Sequence, residues 1–236
     1  MLSPEKINTL TRALGHDFRD PQLLQAALIH RSYFHENPSV ATETNERLEF
    51  LGDAVLQLMI TSELYRRYPQ LPEGQLSKLR SFAVNAETLS LIARELNMQD
   101  YLQVGKGEMT GLADKDSLLA DGLEALLGAL YGEGGPVAAQ AAWMKWTAGL
   151  DLLDVRHLEE FDAKSRLQEF TLKTWQELPT YIYQETKVEN RPAFRVSLTV
   201  HQRPLLSTTA PSKRKAEAWL ARTCLQTNLH TTNGVL

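Results

Sequence analysis

The sequence predicts two domains of different class: a helical one over residues 1–150 and an α+β one of order α-β-β-β-α over 163–236, joined by a linker at 151–162. Three observations predict it. Apolar residues recur at helical spacing up to Leu150, whereas beyond Ala163 one helical stretch gives way to alternating, β-branched runs and a closing helix. Charge divides near the same place: residues 1–162 carry 14 Lys+Arg against 24 Asp+Glu, net −10, and residues 163–236 carry 11 against 5, net +6, which together give −4. Finally, two stretches of the first part are apolar nearly all round, as buried helices are, yet each carries a short acidic stripe. An acidic half repels polyanions except where metal ions sit, and a basic half attracts them.

Composition sets the bounds. With 236 residues, 43% hydrophobic and 23% charged, the chain has an ordinary soluble globular composition. No apolar run reaches the length of a membrane span and MLSPEKINTL lacks the basic-then-apolar pattern of a signal peptide, so a cytoplasmic location without membrane association is expected. The single cysteine, Cys224, has no partner for an internal disulfide and reads as a small buried hydrophobe.

In chain order, Ser3-Pro4 and Asp20-Pro21 each pair an N-cap with proline at the first helical position, predicting helices over about Pro4–Leu14 and Pro21–Arg31. His16-Asp17 between them has no supporting His or Asp spacing and reads as a turn, and Ser32–Thr44, with Asn37-Pro38, reads as a loop. A helix from Asn45 runs towards Tyr68, where Pro69, Pro72 and Gly74 break the chain. GQLSKLRSFAV and NAETLSLIARELN are amphipathic helices, the second capped by Asn85. Glu73, at the entrance to the first, suits the helix dipole, and Lys78 and Arg80 face either phosphate or solvent. Gln103–Lys115, with three glycines, is a connection. DSLLADGLEALLGALYGEGG, capped by Asp116 or Ser117, is the second apolar helix, and Gly134-Gly135-Pro136 opens a last one in which Trp143 and Trp146 are core or dimer contacts and Gly149 is the C-cap.

The acidic stripes suggest chemistry. At 100° per residue, Glu46, Glu49 and Asp53 share one face of NERLEFLGDAVLQL, while Asp121 and Glu124 share one face of the later helix. Like charges so spaced repel, and buried carboxylates are costly without something positive beside them. The economical arrangement has the two helices crossing with stripes facing, so that Glu49, Asp53, Asp121 and Glu124 surround a cation. Gly122 and Gly128 would permit the close approach. Four hard oxygen donors without His or Cys select Mg²⁺ or Mn²⁺ rather than zinc. The alternative is that each stripe grazes solvent or pairs with a base such as Arg47.

NERLEFLGDAVL, preceded by His30-Arg31-Ser32-Tyr33 and followed by SLLADGLEALLGALY, resembles ribonuclease III, the endonuclease that cuts double-stranded RNA. The resemblance implies an all-helical nuclease domain over about residues 1–150, a homodimer formed through that domain, and metal binding by the four carboxylates that the helix geometry selects. It also places Glu46 and Glu73 in the RNA-cutting groove. Products with 5′-phosphate and 3′-hydroxyl ends and a role in rRNA and mRNA processing and decay follow from the same resemblance.

From Ala163, KSRLQEFTLKTWQEL reads as a helix ended by Pro179, TYIYQETKVE, AFRVSLTVH and RPLLSTTA as strands, and SKRKAEAWLARTCLQTNL as the closing helix. Lys213, Arg214 and Lys215 occupy its first turn, against the helix dipole, which is best tolerated where an anion arrives. RLQEF, LPTY and SKRKAEAWLA resemble the double-stranded RNA-binding domain, implying that Gln168 and Glu169 face a minor groove while Lys213, Arg214 and Lys215 clamp phosphates, reading A-form shape. Two departures stand out. Glu189-Asn190-Arg191-Pro192 replaces the usual Gly-Pro-x-His, with Arg191 expected to supply a phosphate contact instead, and Thr208 and Ala210 replace the usual glycines.

Overall fold

The structure, a computed structural model, describes residues 2–39, 41, 43–188, 191–200 and 203–227, and divides into two compact units, Met1–Asp154 and Val155–Leu236. The first is wholly helical: α1 (Pro4–Leu14), α2 (Pro21–Ala27), α3 (Arg31–Glu36), α4 (Glu46–Arg67), α5 (Glu73–Ala83), α6 (Ala86–Glu95), the single turn α7 (Lys106–Met109) and α8 (Asp116–Trp146). Ser3, Asp20 and Asn85 cap their helices through side-chain oxygens, as expected from sequence.

Four local expectations change. The helix begun at Pro21 stops at Ala27, because Ile29 bridges to Gln103 and the His30 side chain caps a new helix, accepting from Ser32 N–H. Neither Asp116 nor Ser117 caps α8, whose N-cap position is Lys115; the Asp116 carboxylate is instead taken by Arg94 at 2.7 Å and Ser90 at 2.8 Å. The new helix expected at Gly134-Gly135-Pro136 does begin after a break, Gly135 at φ 66° separating the two halves of α8, but it ends at Trp146 with Thr147, not Gly149, as its cap. The run expected as a linker is helical from Arg156: it contains no Gly or Pro, and continues without a break into Ala163 and Leu167, which lie in the second unit's core.

Around α4 and α8 the first core gathers Leu56, Ile60, Leu64, Leu119, Leu123, Leu126 and Leu130, all at most 2% exposed. Trp143 and Trp146 are buried there too. α4, however, is not buried all round: Phe50, Leu58 and Tyr65 are 81%, 67% and 76% exposed. An apolar surface that a single chain leaves open is the kind that a second chain covers.

The second unit is α9 (Arg156–Trp175), β1 (Thr180–Val188), β2 (Arg191–Val200), β3 (Arg203–Ala210) and α10 (Lys213–Gln226). The strands form one antiparallel sheet in the order β1-β2-β3, with Tyr183 opposite Val196 and Phe194 opposite Ala210. Leu167 from α9, Val196 and Leu198 from β2, and Leu220 and Cys224 from α10 fill the space between helices and sheet. Burial pushes the Cys224 thiol up, which keeps it protonated.

Candidate metal centre

The centre exists because α4 and α8 touch backbone to backbone. A Cβ added to Gly52 would stand 1.8 Å from the Glu124 carbonyl oxygen, and one added to Gly128 would stand 2.1 Å from the Leu48 carbonyl oxygen. Only glycine fits at such a crossing, at a cost of about 1 kcal/mol each in helix propensity. Gly122 has a different neighbour, the Leu102 and Met98 side chains. Glu49 and Asp53 flank Gly52 on α4, so this contact brings one stripe against the other.

One carboxylate oxygen each from Glu49, Asp121 and Glu124 lies within 4.8 Å of the other two. Asp53 stands outside that group: both of its oxygens accept from Gln57 Nε2, at 2.9 and 3.0 Å. Among the described residues, none of the four has an ion pair with Lys, Arg or His; Arg31 reaches only Glu46, at 3.9 Å. Arg47, the alternative partner weighed from sequence, pairs with Glu43.

The electrostatics register the crowding. Glu124 is pushed up to about 8, by burial first and then by Asp53, Asp121 and Glu49. Burial and Asp121 raise Glu49, and burial raises Asp121 against the opposing pull of His30 and Arg31. His30, half-buried beside Arg31, is lowered and stays neutral. Three hard oxygens at mutual repulsion, all partly open to solvent, with no ion pair to a base among the described residues and no nitrogen or sulfur donor in the group, fit an oxygen-loving divalent cation.

The other residues expected from the sequence are not part of that group. Glu46 is exposed at the start of α4, accepting from Thr44 at 3.0 Å, and Glu73 is exposed in the first turn of α5, accepting from Ser77 at 2.6 Å. In the second unit Gln168 and Glu169 lie on α9, and Lys213 and Lys215 lie in the first turn of α10, where Ser212 caps the helix by accepting from Lys215 N–H. The side chains of Arg191 and Arg214, and the loop residues Glu189 and Asn190, are outside the described residues. Gly52 and Gln57 also shape the cluster, and the charge pattern alone does not pick them out. A glycine in mid-helix between two acids, and an amide four residues after Asp53, were the available signals.

Residues 20–149 match the family model described as ribonuclease-III-like, and residues 163–227 match the double-stranded RNA binding motif. A protein named Ribonuclease 3 from Syntrophobacter fumaroxidans is 40% identical over 232 residues, covering 96% of each chain, and its namesake from Legionella pneumophila is 40% identical over 229 residues, covering 94% of this chain and 98% of that one. Among solved structures, the nuclease domain of ribonuclease III from Campylobacter jejuni matches at TM-score 0.56 and 36% identity over 64% of this chain and 99% of that one. A second structure of that domain, described for flexibility in a region involved in dimer formation, matches at TM-score 0.55 and 38% identity over 59% of this chain and 94% of that one. A helical nuclease fold, a following double-stranded RNA-binding domain and near full-length relatives agree, and the chain belongs to the ribonuclease III family.

Proposed function

We propose that this chain is an endoribonuclease that hydrolyses phosphodiester bonds of double-stranded RNA with Mg²⁺, or Mn²⁺ in its place, held by Glu49, Asp121 and Glu124, with Asp53 as the fourth carboxylate. The observation that supports it best is the convergence of three unpaired carboxylates within 4.8 Å at a helix crossing, in a chain that also carries a double-stranded RNA-binding domain. The bound cation supplies a lowered water pKa and neutralisation of the charge that builds on the phosphoryl and leaving oxygens.

The chain's own part is placement. Gly52 and Gly128 hold the α4–α8 crossing, so the acids converge before any ion arrives. Glu124, the most buried and most raised of the set, must lose its proton to act as a ligand, and an amide in its place supplies an oxygen without the charge. Gln57 holds Asp53 at one side of the centre. Glu46 and Glu73 line the approach. Gln168, Glu169, Arg191, Lys213, Arg214 and Lys215 engage the duplex by its shape and phosphates. Cleaved ends carry 5′-phosphate and 3′-hydroxyl.

A homodimer through the nuclease domain agrees with the exposed row of Phe50, Leu58 and Tyr65 on α4. Among the described residues no helix is long and apolar enough to cross a membrane, in keeping with work in the cytoplasm on rRNA and mRNA. The test is incubation of the pure chain with long duplex RNA, with and without Mg²⁺. Shortening to defined duplex fragments only with metal supports the assignment. Intact duplex in the presence of metal would make the chain an RNA-binding scaffold that has kept the fold.

A further inference from the structure

The second unit contains a set of contacts that duplex recognition by charged residues does not by itself require. Lys213 opens α10 with its ammonium 5.2 Å from the Tyr183 ring centroid and 5.1 Å from that of Phe194. Among the described residues, no carboxylate forms an ion pair with it. The two rings are diagonal neighbours on the helix-facing side of the sheet, since Tyr183 pairs with Val196 and Phe194 lies two residues before Val196 on β2.

Tyr183 is itself held. Its hydroxyl donates to Glu217, one helical turn after Lys213 on α10, and Glu217 also accepts from Lys164 of α9. Burial opposes the ionisation of Glu217, but the hydrogen bonds from Lys164 and Tyr183 keep its carboxyl below the usual range. An ionised acceptor therefore fixes the tyrosine, and the tyrosine carries the lysine.

This arrangement differs physically from a salt bridge. A carboxylate partner would compete with an incoming phosphate for the lysine, whereas an aromatic face limits where the ammonium goes and leaves its charge unneutralised. Holding a flexible side chain beforehand also lowers the entropy lost on binding.

We propose that Tyr183 is a positioning residue for duplex RNA: its ring, fixed through Glu217, holds the Lys213 ammonium in place for a backbone phosphate. This rests on the reading of the unit as the RNA-binding half. The partner is the phosphate backbone of a duplex, so Tyr183 governs affinity for any sequence alike.

The experiment measures binding of the full chain to a labelled duplex RNA by fluorescence anisotropy, in EDTA so that nothing is cut, across a range of salt. Lys213→Ala should weaken binding and lower the magnitude of the log–log salt slope by about one. Tyr183→Leu should weaken it about five-fold, while Tyr183→Phe, which keeps the ring but loses its hydroxyl bond to Glu217, should fall between the two, about two-fold weaker than the parent. Tyr183→Leu added to Lys213→Ala should cause no further loss, because the ring acts only through the lysine. Equal losses from Tyr183→Leu with and without Lys213, or a Tyr183→Phe as weak as Tyr183→Leu, would overturn the proposal. Lys213→Ala binding like the parent would instead remove the RNA-binding reading of this face, and the proposal with it. Tyr183 is 42% exposed, so substitution leaves the core in place; thermal melts check this, and Tyr183→Ile, which suits a strand, carries the same test if the leucine variant melts early.

Discussion

Replacing Gly52 by alanine adds one methyl group at the point where the two acidic stripes are brought together. The new Cβ would lie 1.8 Å from the Glu124 carbonyl oxygen, 2.6 Å from its carbon and 2.9 Å from the Gly128 nitrogen, all of them backbone atoms that cannot rotate away. Ordinary contact needs roughly 3.5 Å, so α4 and α8 must separate by about 1.5 Å or slide along one another. Overpacking of this kind costs about 1–3 kcal/mol, which for a chain of this size lowers the melting temperature by roughly 2–10 °C. The larger effect falls on chemistry. Glu49 and Asp53 move with α4 while Asp121 and Glu124 move with α8, and a misplacement of about 1 Å costs on the order of 10²-fold in rate. The assay is single-turnover cleavage of long duplex RNA at saturating Mg²⁺, with duplex binding measured alongside. Gly107→Ala is the control, since a Cβ there meets nothing within 4 Å. Cleavage by Gly52→Ala within a few-fold of the parent, at an unchanged melting temperature, would refute the idea that this crossing builds the site.

Glu124→Gln should abolish cleavage and leave duplex binding intact, while raising the melting temperature in EDTA at pH 8, because it removes the carboxylate that burial and three neighbouring acids make costly; a variant that still cuts at near the parent rate sinks the assignment. The pH dependence has a defined sign. Glu124 titrates near 8 in the folded, metal-free chain and near 4.5 unfolded, so between those values the folded state holds a proton that the unfolded state has lost, and stability falls as pH rises through that window. Mg²⁺ should therefore raise the melting temperature more at pH 8 than at pH 5.5, and equal increments at both would contradict the account. Phe50→Asp, which puts a charge on the exposed row of α4, should convert a dimer to monomers in light scattering without unfolding the chain; a variant that stays dimeric would move the interface elsewhere.

How much of this was legible in the sequence depends on the range over which each feature is decided. The helix caps at Ser3, Asp20 and Asn85 are local and stand where the sequence puts them. The facing of Glu49 with Asp121 and Glu124, across roughly seventy residues, was also legible, because a charged stripe on an otherwise apolar helix has few stable places to go. Other features are settled by partners that periodicity does not name. An apolar helix reads alike whether its faces are covered by its own chain or by another, and so the exposure of Phe50 and Leu58 could not be told from the burial of Leu56 and Ile60. The break between α2 and α3 depends on a distant pairing of Ile29 with Gln103 and on a histidine acting as a cap, a role more often filled by Ser, Thr, Asp or Asn. Asp53 is on the expected face but is engaged by Gln57, a competition within one helix that the charge pattern alone does not rank.

The claim that everything else depends on is that Glu49, Asp121 and Glu124 form one divalent cation site. Anomalous scattering from a crystal of the chain grown with Mn²⁺ tests it most directly. A peak is expected between the three side chains, about 2.0–2.3 Å from one oxygen of each, with Glu124 deprotonated against it. A peak bound elsewhere, or three carboxylates turned apart with no ion between them, would contradict it.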